Sequence, residues 1–155
     1  MEWWIDEPVF LGTSNPSTEQ LKNLHQQGFK TVISLVDFNE QLPNYDIDEI
    51  KAMGFQYVSI PIKNFTAPTE EMFKLFLETV EQSLKNGKVV MHCEGGSGRT
   101  GTMAAAYWIK KGLPAKDTID KVRKSNRSAV ETSAQKSSLY MLDKSTTTRN
   151  RKDQP

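Results

Sequence analysis

The runs TVISLV (31–36) and KVVMH (88–92) constrain the fold more than any other feature of this 155-residue chain. Each is too short for a buried helix, and neither alternates apolar with polar residues as a strand with one wet face would. Short β-branched runs of this kind fit strands covered on both faces, the environment of a parallel sheet. PVFLG (8–12) and FQYVSIPI (55–62) read as further strands, and Trp3 and Trp4 as part of a first strand at the sheet edge. Helical patterns lie between them. Ser17 is placed to cap a helix over 18–27, with Gln20 in the capping-box position and Gly28 as the stop. A short helix suits 44–53. Thr69 caps a long one whose Met72, Phe73, Phe76, Leu77, Val80 and Leu84 share one face, and Gly87 ends it. Segments 100–111, 114–125 and 133–143 complete the helices. The expected fold is a single α/β domain over 1–143, a mostly parallel central sheet with helices on both faces. The tail KSTTTRNRKDQP (144–155) has no apolar residue and is expected to be disordered.

Composition narrows the function. A net charge of +1 gives no global field for nucleic acid or membrane binding. No apolar run approaches the roughly 18 residues of a membrane span, and MEWWIDEP is unlike a signal peptide. The single cysteine excludes an intramolecular disulfide, so a reducing, cytoplasmic setting is expected. His25 has no ligand-spaced neighbours and reads as a helix-surface residue; no metal or other cofactor is expected. Trp108 reads as core. Arg123, Lys124 and Arg127 form a basic patch suited to a solvated face or to acidic phosphopeptides.

In parallel sheets, ligands gather at the carboxyl ends of the strands. VVMHCEGGSGRTGT (89–102) puts Cys93 at such an end, ahead of a helix. A thiolate is the nucleophile, and a helix N-terminus supplies partial positive charge and unpaired N–H groups beside it. Gly95, Gly96 and Gly98 allow the loop to curl its N–H groups inward as an anion nest. Arg99 adds a planar fork that matches phosphate oxygens. The plain alternative is a glycine-rich turn with a buried cysteine. A Walker loop is excluded because no Gly-Lys-Ser/Thr ending follows.

HCEGGSGRTG resembles the His-Cys-five residues-Arg-Ser/Thr-Gly signature of cysteine-dependent protein tyrosine phosphatases. Over residues 8–143 the chain resembles compact dual-specificity phosphatases of the archaeal and atypical eukaryotic type. The resemblance implies that Cys93 is the nucleophile, with the loop of Glu94, Gly95, Gly96, Ser97, Gly98 and Arg99 binding the phosphoryl oxygens. It further implies that the Thr100 hydroxyl stabilises the thiolate and that His92 orients the loop. AVETSAQKSSL (129–139) resembles the family segment carrying a water-positioning glutamine, here Gln135. The expected partner is a phosphorylated protein or peptide acted on by a monomer, through a cysteinyl-phosphate intermediate.

One piece departs from the pattern. The family's general-acid segment corresponds to IKNFTAP (62–68), where Asn64 occupies the aspartate slot and Lys63 replaces a proline. An amide has no acidic proton to give. Asp37, following TVISLV, is the first candidate for the missing acid, with Glu40 behind it; Asp37 is equally a plain turn residue. Three functions follow: a phosphatase for phosphotyrosine, with phosphoserine or phosphothreonine as further substrates; a slow or inactive phospho-ligand binder resembling a substrate trap; and a phosphatase for lipids, inositol phosphates or RNA 5′ ends. The acidic, small EGGSG loop disfavours the last.

Overall fold

The computed structural model describes residues 1–152, with 147–152 as backbone alone. Five strands form one sheet in the order β1-β2-β5-β3-β4: β1 (Glu2–Asp6), β2 (Phe10–Thr13), β3 (Phe29–Ser34), β4 (Gln56–Ser59) and β5 (Lys88–His92). β2, β5, β3 and β4 run parallel, while β1 pairs antiparallel with β2. The sheet is therefore mixed and mostly parallel, and Trp3 and Trp4 lie on its antiparallel edge strand. β5 is central, which is why its inner residues Val89, Val90 and Met91 are apolar and fully buried.

Adjacent residues of the buried strands serve opposite faces. Val89 and Met91 join Ile33, Phe76, Val80 and Met103 in one cluster, whereas Val90 joins Val32, Leu21, Leu24 and Ile50 in the other. Helices α1 (Thr18–Gln26) and α2 (Ile47–Ala52) cover the second face; α3 (Glu70–Leu84), α4 (Gly98–Lys110), α5 (Ala115–Ser125) and α6 (Ser133–Lys152) belong to the first. The caps follow the sequence pattern: Ser17 accepts from Gln20 N–H and Thr69 from Met72 N–H. The Gln20 side chain, however, reaches across to Glu2 rather than back to its cap.

Two expectations need adjustment. The strand expected over 55–62 is regular only across Gln56–Ser59, although Ile60 and Ile62 N–H still donate to Ser34 and Leu35 carbonyls. The tail expected to be disordered from Lys144 instead continues α6 to Lys152, while 153–155 lie outside the described residues. The stretch 144–152 has no proline or glycine. Extending an existing helix fixes one residue per added bond and avoids the cost of nucleation. His25 is a half-buried helix residue whose ring meets Phe55 edge-on at 4.9 Å. Trp108 is half-buried against the core, with its Nε1–H on Ile5 O and Lys121 over its ring.

Candidate active site

Cys93 leaves the end of β5 and α4 begins at Gly98, so the loop between them is held by a central strand and a helix N-terminus. The Cys93 sulfur receives two donors: Gly96 N–H at 3.2 Å and the Thr100 hydroxyl at 3.1 Å. Such an arrangement suits an anionic sulfur. Gly96 adopts φ +79°, and a Cβ there would strike the Thr13 and Ser14 backbone at 2.6–3.0 Å, so only glycine fits. Arg99 is buried, and its Nη1–H donates to Ile62 O at 2.9 Å. The fork thus spans the phosphate loop and the segment that carries Asn64.

His92 is buried, with its pKa lowered to about 4, first by burial and then by the Arg99 charge, against an opposing bond to Cys93 O. The ring is neutral near pH 7. Cys93 O only accepts, so the Nδ1 at 3.1 Å carries the proton. Nε2 then accepts from the Tyr45 hydroxyl at 2.7 Å. Burial holds the Tyr45 phenol far above its ordinary range, so it remains a donor. His92 therefore orients the first carbonyl of the loop.

The remaining expected residues are placed as follows. Glu94 turns away from the sulfur, its carboxylate accepting from Asn15 Nδ2 at 3.1 Å. Gly95 is open to space, with nothing within 4 Å of a Cβ built on it. Ser97 Oγ accepts from Asn126 Nδ2 at 3.2 Å. Asp37 is half-buried, and its Oδ1 accepts from Asn39 N–H at 2.9 Å in a local Asx turn. Asn64 is exposed; its N–H donates to Glu40 Oε1 at 2.9 Å, and its own Oδ1 accepts from Phe65 N–H. Gln135 is only 1% exposed. Its Oε1 accepts from Glu131 and Thr132 N–H, and its Nε2–H donates to Thr66 O at 3.3 Å. Because Thr132 Oγ1 accepts from Gln135 N–H, the pair closes a capping box at the start of α6. Gln135 thereby ties α6 to the segment of Asn64.

Sequence reasoning passed over Glu131, whose Oε1 would lie 2.8 Å from a Cβ on Gly98. This puts the exposed Glu131 carboxylate against Gly98, the first residue of α4. A single acidic residue in a polar turn has no periodicity to single it out. Trp3, expected only as part of an edge strand, and Tyr45 and Asn126 carry no site signal in the sequence either: Trp3 Nε1–H and Asn126 Nδ2–H donate to Gly96 O, and Tyr45 holds His92. Among the described residues no group of three or more His, Cys, Asp or Glu gathers as a metal site.

A cysteine at the end of a central strand whose sulfur receives a loop N–H and a hydroxyl, with a buried arginine at the start of the next helix, has the arrangement of a cysteine-based phosphatase of the protein tyrosine phosphatase fold. The family model "Tc-R-P: Polymorphic toxin system, DSP-PTPase phosphatase" matches residues 9–113, and the chain belongs to this family of dual-specificity-type protein phosphatases. The human dual specificity protein phosphatase CDC14C is 31% identical over 132 residues, which cover 77% of this chain and 29% of that protein. The Caenorhabditis elegans tyrosine-protein phosphatase cdc-14 is 32% identical over 81 residues, covering 52% of this chain and 11% of the relative. The chain thus spans under a third of either relative's length. Among solved structures, Tk-PTP in its active form superposes with a TM-score of 0.83 at 31% identity, covering 91% of this chain and 95% of that one. PTPMT1 in complex with PI(5)P superposes at 0.84 with 19% identity, covering 96% and 98%, a likeness of fold alone.

Proposed function

We propose that the protein hydrolyses phosphate monoesters of phosphorylated proteins or peptides, phosphotyrosine foremost. The observation that carries this is the Cys93 sulfur receiving Gly96 N–H and the Thr100 hydroxyl inside a loop closed by buried Arg99. In the first step Sγ attacks phosphorus, the P–O bond to the substrate breaks, and the leaving oxygen takes a proton. In the second, water attacks phosphorus, loses a proton, and the P–S bond breaks to restore the thiolate. Arg99, the loop N–H groups and the α4 N-terminus stabilise the equatorial oxygens in both steps.

The proton donor in this reading is Glu131. It stands against the loop at Gly98, whereas the Asp37 Oδ1 is engaged by its own turn and the Glu40 Oε1 by Asn64 N–H. Gln135 is kept as a positioning residue, since its amide already serves backbone groups on both segments. The single free thiol is compatible with a monomer in a reducing compartment. Among the described residues no helix is long and apolar enough to cross a membrane.

The test is release of phosphate from an aryl phosphate and from phosphotyrosine, phosphoserine and inositol-phosphate substrates. The expected order puts phosphotyrosine first, with all release lost in Cys93→Ser. No release from any substrate would sink the reading. A second reading is favoured by Asn64 alone: a phospho-ligand binder with slow turnover, which predicts retained phosphopeptide affinity with negligible release.

A further inference from the structure

The orientation of each peptide in the loop decides whether its N–H faces a bound oxyanion. A trans peptide points its C=O and N–H in opposite directions. Fixing a carbonyl from outside the loop therefore aims the next residue's N–H inward. Three carbonyls of the loop are held this way: Cys93 O by His92 Nδ1, Glu94 O by Asn15 N–H at 2.9 Å, and Gly96 O. Gly96 O has two donors, Trp3 Nε1–H at 2.9 Å and Asn126 Nδ2–H at 3.2 Å, both buried. They come from opposite ends of the chain. Trp3 lies on edge strand β1, and its indole reaches the loop across Gly12, its strand partner, where a Cβ would meet the ring at 2.9 Å. Asn126 caps the end of α5 and is itself steadied by Ser128 N–H on its Oδ1.

We propose that Trp3 and Asn126 are positioning residues whose shared grip on the Gly96 carbonyl holds Ser97 N–H toward the phosphoryl oxygens. The grip acts on the Gly96–Ser97 peptide. The two donors to the Cys93 sulfur, Gly96 N–H and Thr100 Oγ1, lie outside that peptide. Loss of the grip thus weakens oxyanion binding and leaves the thiol environment as it was, a division that a general loss of stability would not produce. The inference rests on the phosphatase reading of this loop.

Trp3→Phe removes the indole N–H and keeps an aromatic ring. Asn126→Leu removes the amide donor at similar size and adds no charge beside the anion site, giving up with it the bonds to Ser97 Oγ and from Ser128 N–H. Vanadate dissociation constants would be measured by calorimetry on the full chain, alongside the pH midpoint of Cys93 alkylation by iodoacetamide. Each variant is expected to weaken vanadate binding by about 5- to 10-fold, the scale of one lost hydrogen bond to an anion site. The alkylation midpoint should stay at the parent value. Vanadate affinity within twofold of the parent in the folded variants would overturn the proposal, as would an alkylation midpoint that moves together with affinity. Should one variant fail to fold, the other carries the comparison alone. Phosphate release by the parent reports on turnover, while the ratio of vanadate constants reports on the grip, so the two readings can fail separately.

Discussion

A thiol becomes a useful nucleophile when donors surround it and no acceptor competes, and at Cys93 both donors come from within the next seven positions. Thr100 supplies one of them through its hydroxyl, 3.1 Å from the sulfur. Thr100→Ala is expected to lower kcat/KM on an aryl phosphate by about 10-fold, the cost of one hydrogen bond to a charged group, and Thr100→Ser to restore most of it. Equal activity in the two variants would remove the hydroxyl from the mechanism. The acid assignment is a second question of single residues. Glu131→Gln should depress hydrolysis of an alkyl phosphate far more than that of an activated aryl phosphate, because only the former needs its leaving oxygen protonated. Asp37→Asn should change neither, and an Asp37→Asn effect larger than that of Glu131→Gln would reverse the assignment. Asn64→Asp returns a carboxylic acid to the slot. It should raise turnover on phosphotyrosine several-fold, within the factor of about 100 that a positioned acid supplies.

Elements bring together what no local pattern announces. Cys93, Arg99 and Thr100 were legible in the sequence because one strand-loop-helix unit holds them all, with capping and glycine signals marking its neighbours. Trp3, Tyr45 and Asn126 were not, since they meet their partners across 93, 47 and 30 positions. Only the assembled sheet and helices create those contacts. The sheet order itself was no more legible, because apolar runs state burial and not adjacency. One packing contact links α4 to the segment of Glu131: a Cβ on Gly101 would lie 2.6 Å from the Ala129 Cβ and 2.8 Å from its Cα. Gly101→Ala must therefore displace the 129–131 turn. Lowered stability by about 1–3 kcal/mol is expected, together with reduced activity in the folded fraction. Gly95→Ala is the matched control, since nothing stands within 4 Å of its Cβ position. Chemical denaturation of both variants checks the contrast. Similar midpoints for the two would mean the turn yields without strain.

At the scale of the whole molecule, β5 is the central strand, and its last residue, His92, is buried at the carboxyl end of the sheet. The ring is held neutral in the folded protein, with a pKa lowered from 6.5 to about 4. An unfolded chain binds a proton at this site below about pH 6.5, and the folded one binds it only near pH 4. Between those values the unfolded state carries more protons, so stability rises with pH. The contribution is fully present above about pH 6.5 and is lost progressively as pH falls through the window toward 4. Its size is on the order of 3 kcal/mol, from about 1.4 kcal/mol for each pKa unit. Carboxylates also titrate at the lower end, so the informative quantity is a difference between two proteins. Urea midpoints of the parent and of His92→Gln, taken at intervals from pH 7.5 to 4, should converge as pH falls, because glutamine keeps a polar side chain and cannot titrate. Parallel curves would show that His92 charges as easily in the folded molecule as in the unfolded chain. The neutral ring that orients the Cys93 carbonyl would then have to be abandoned.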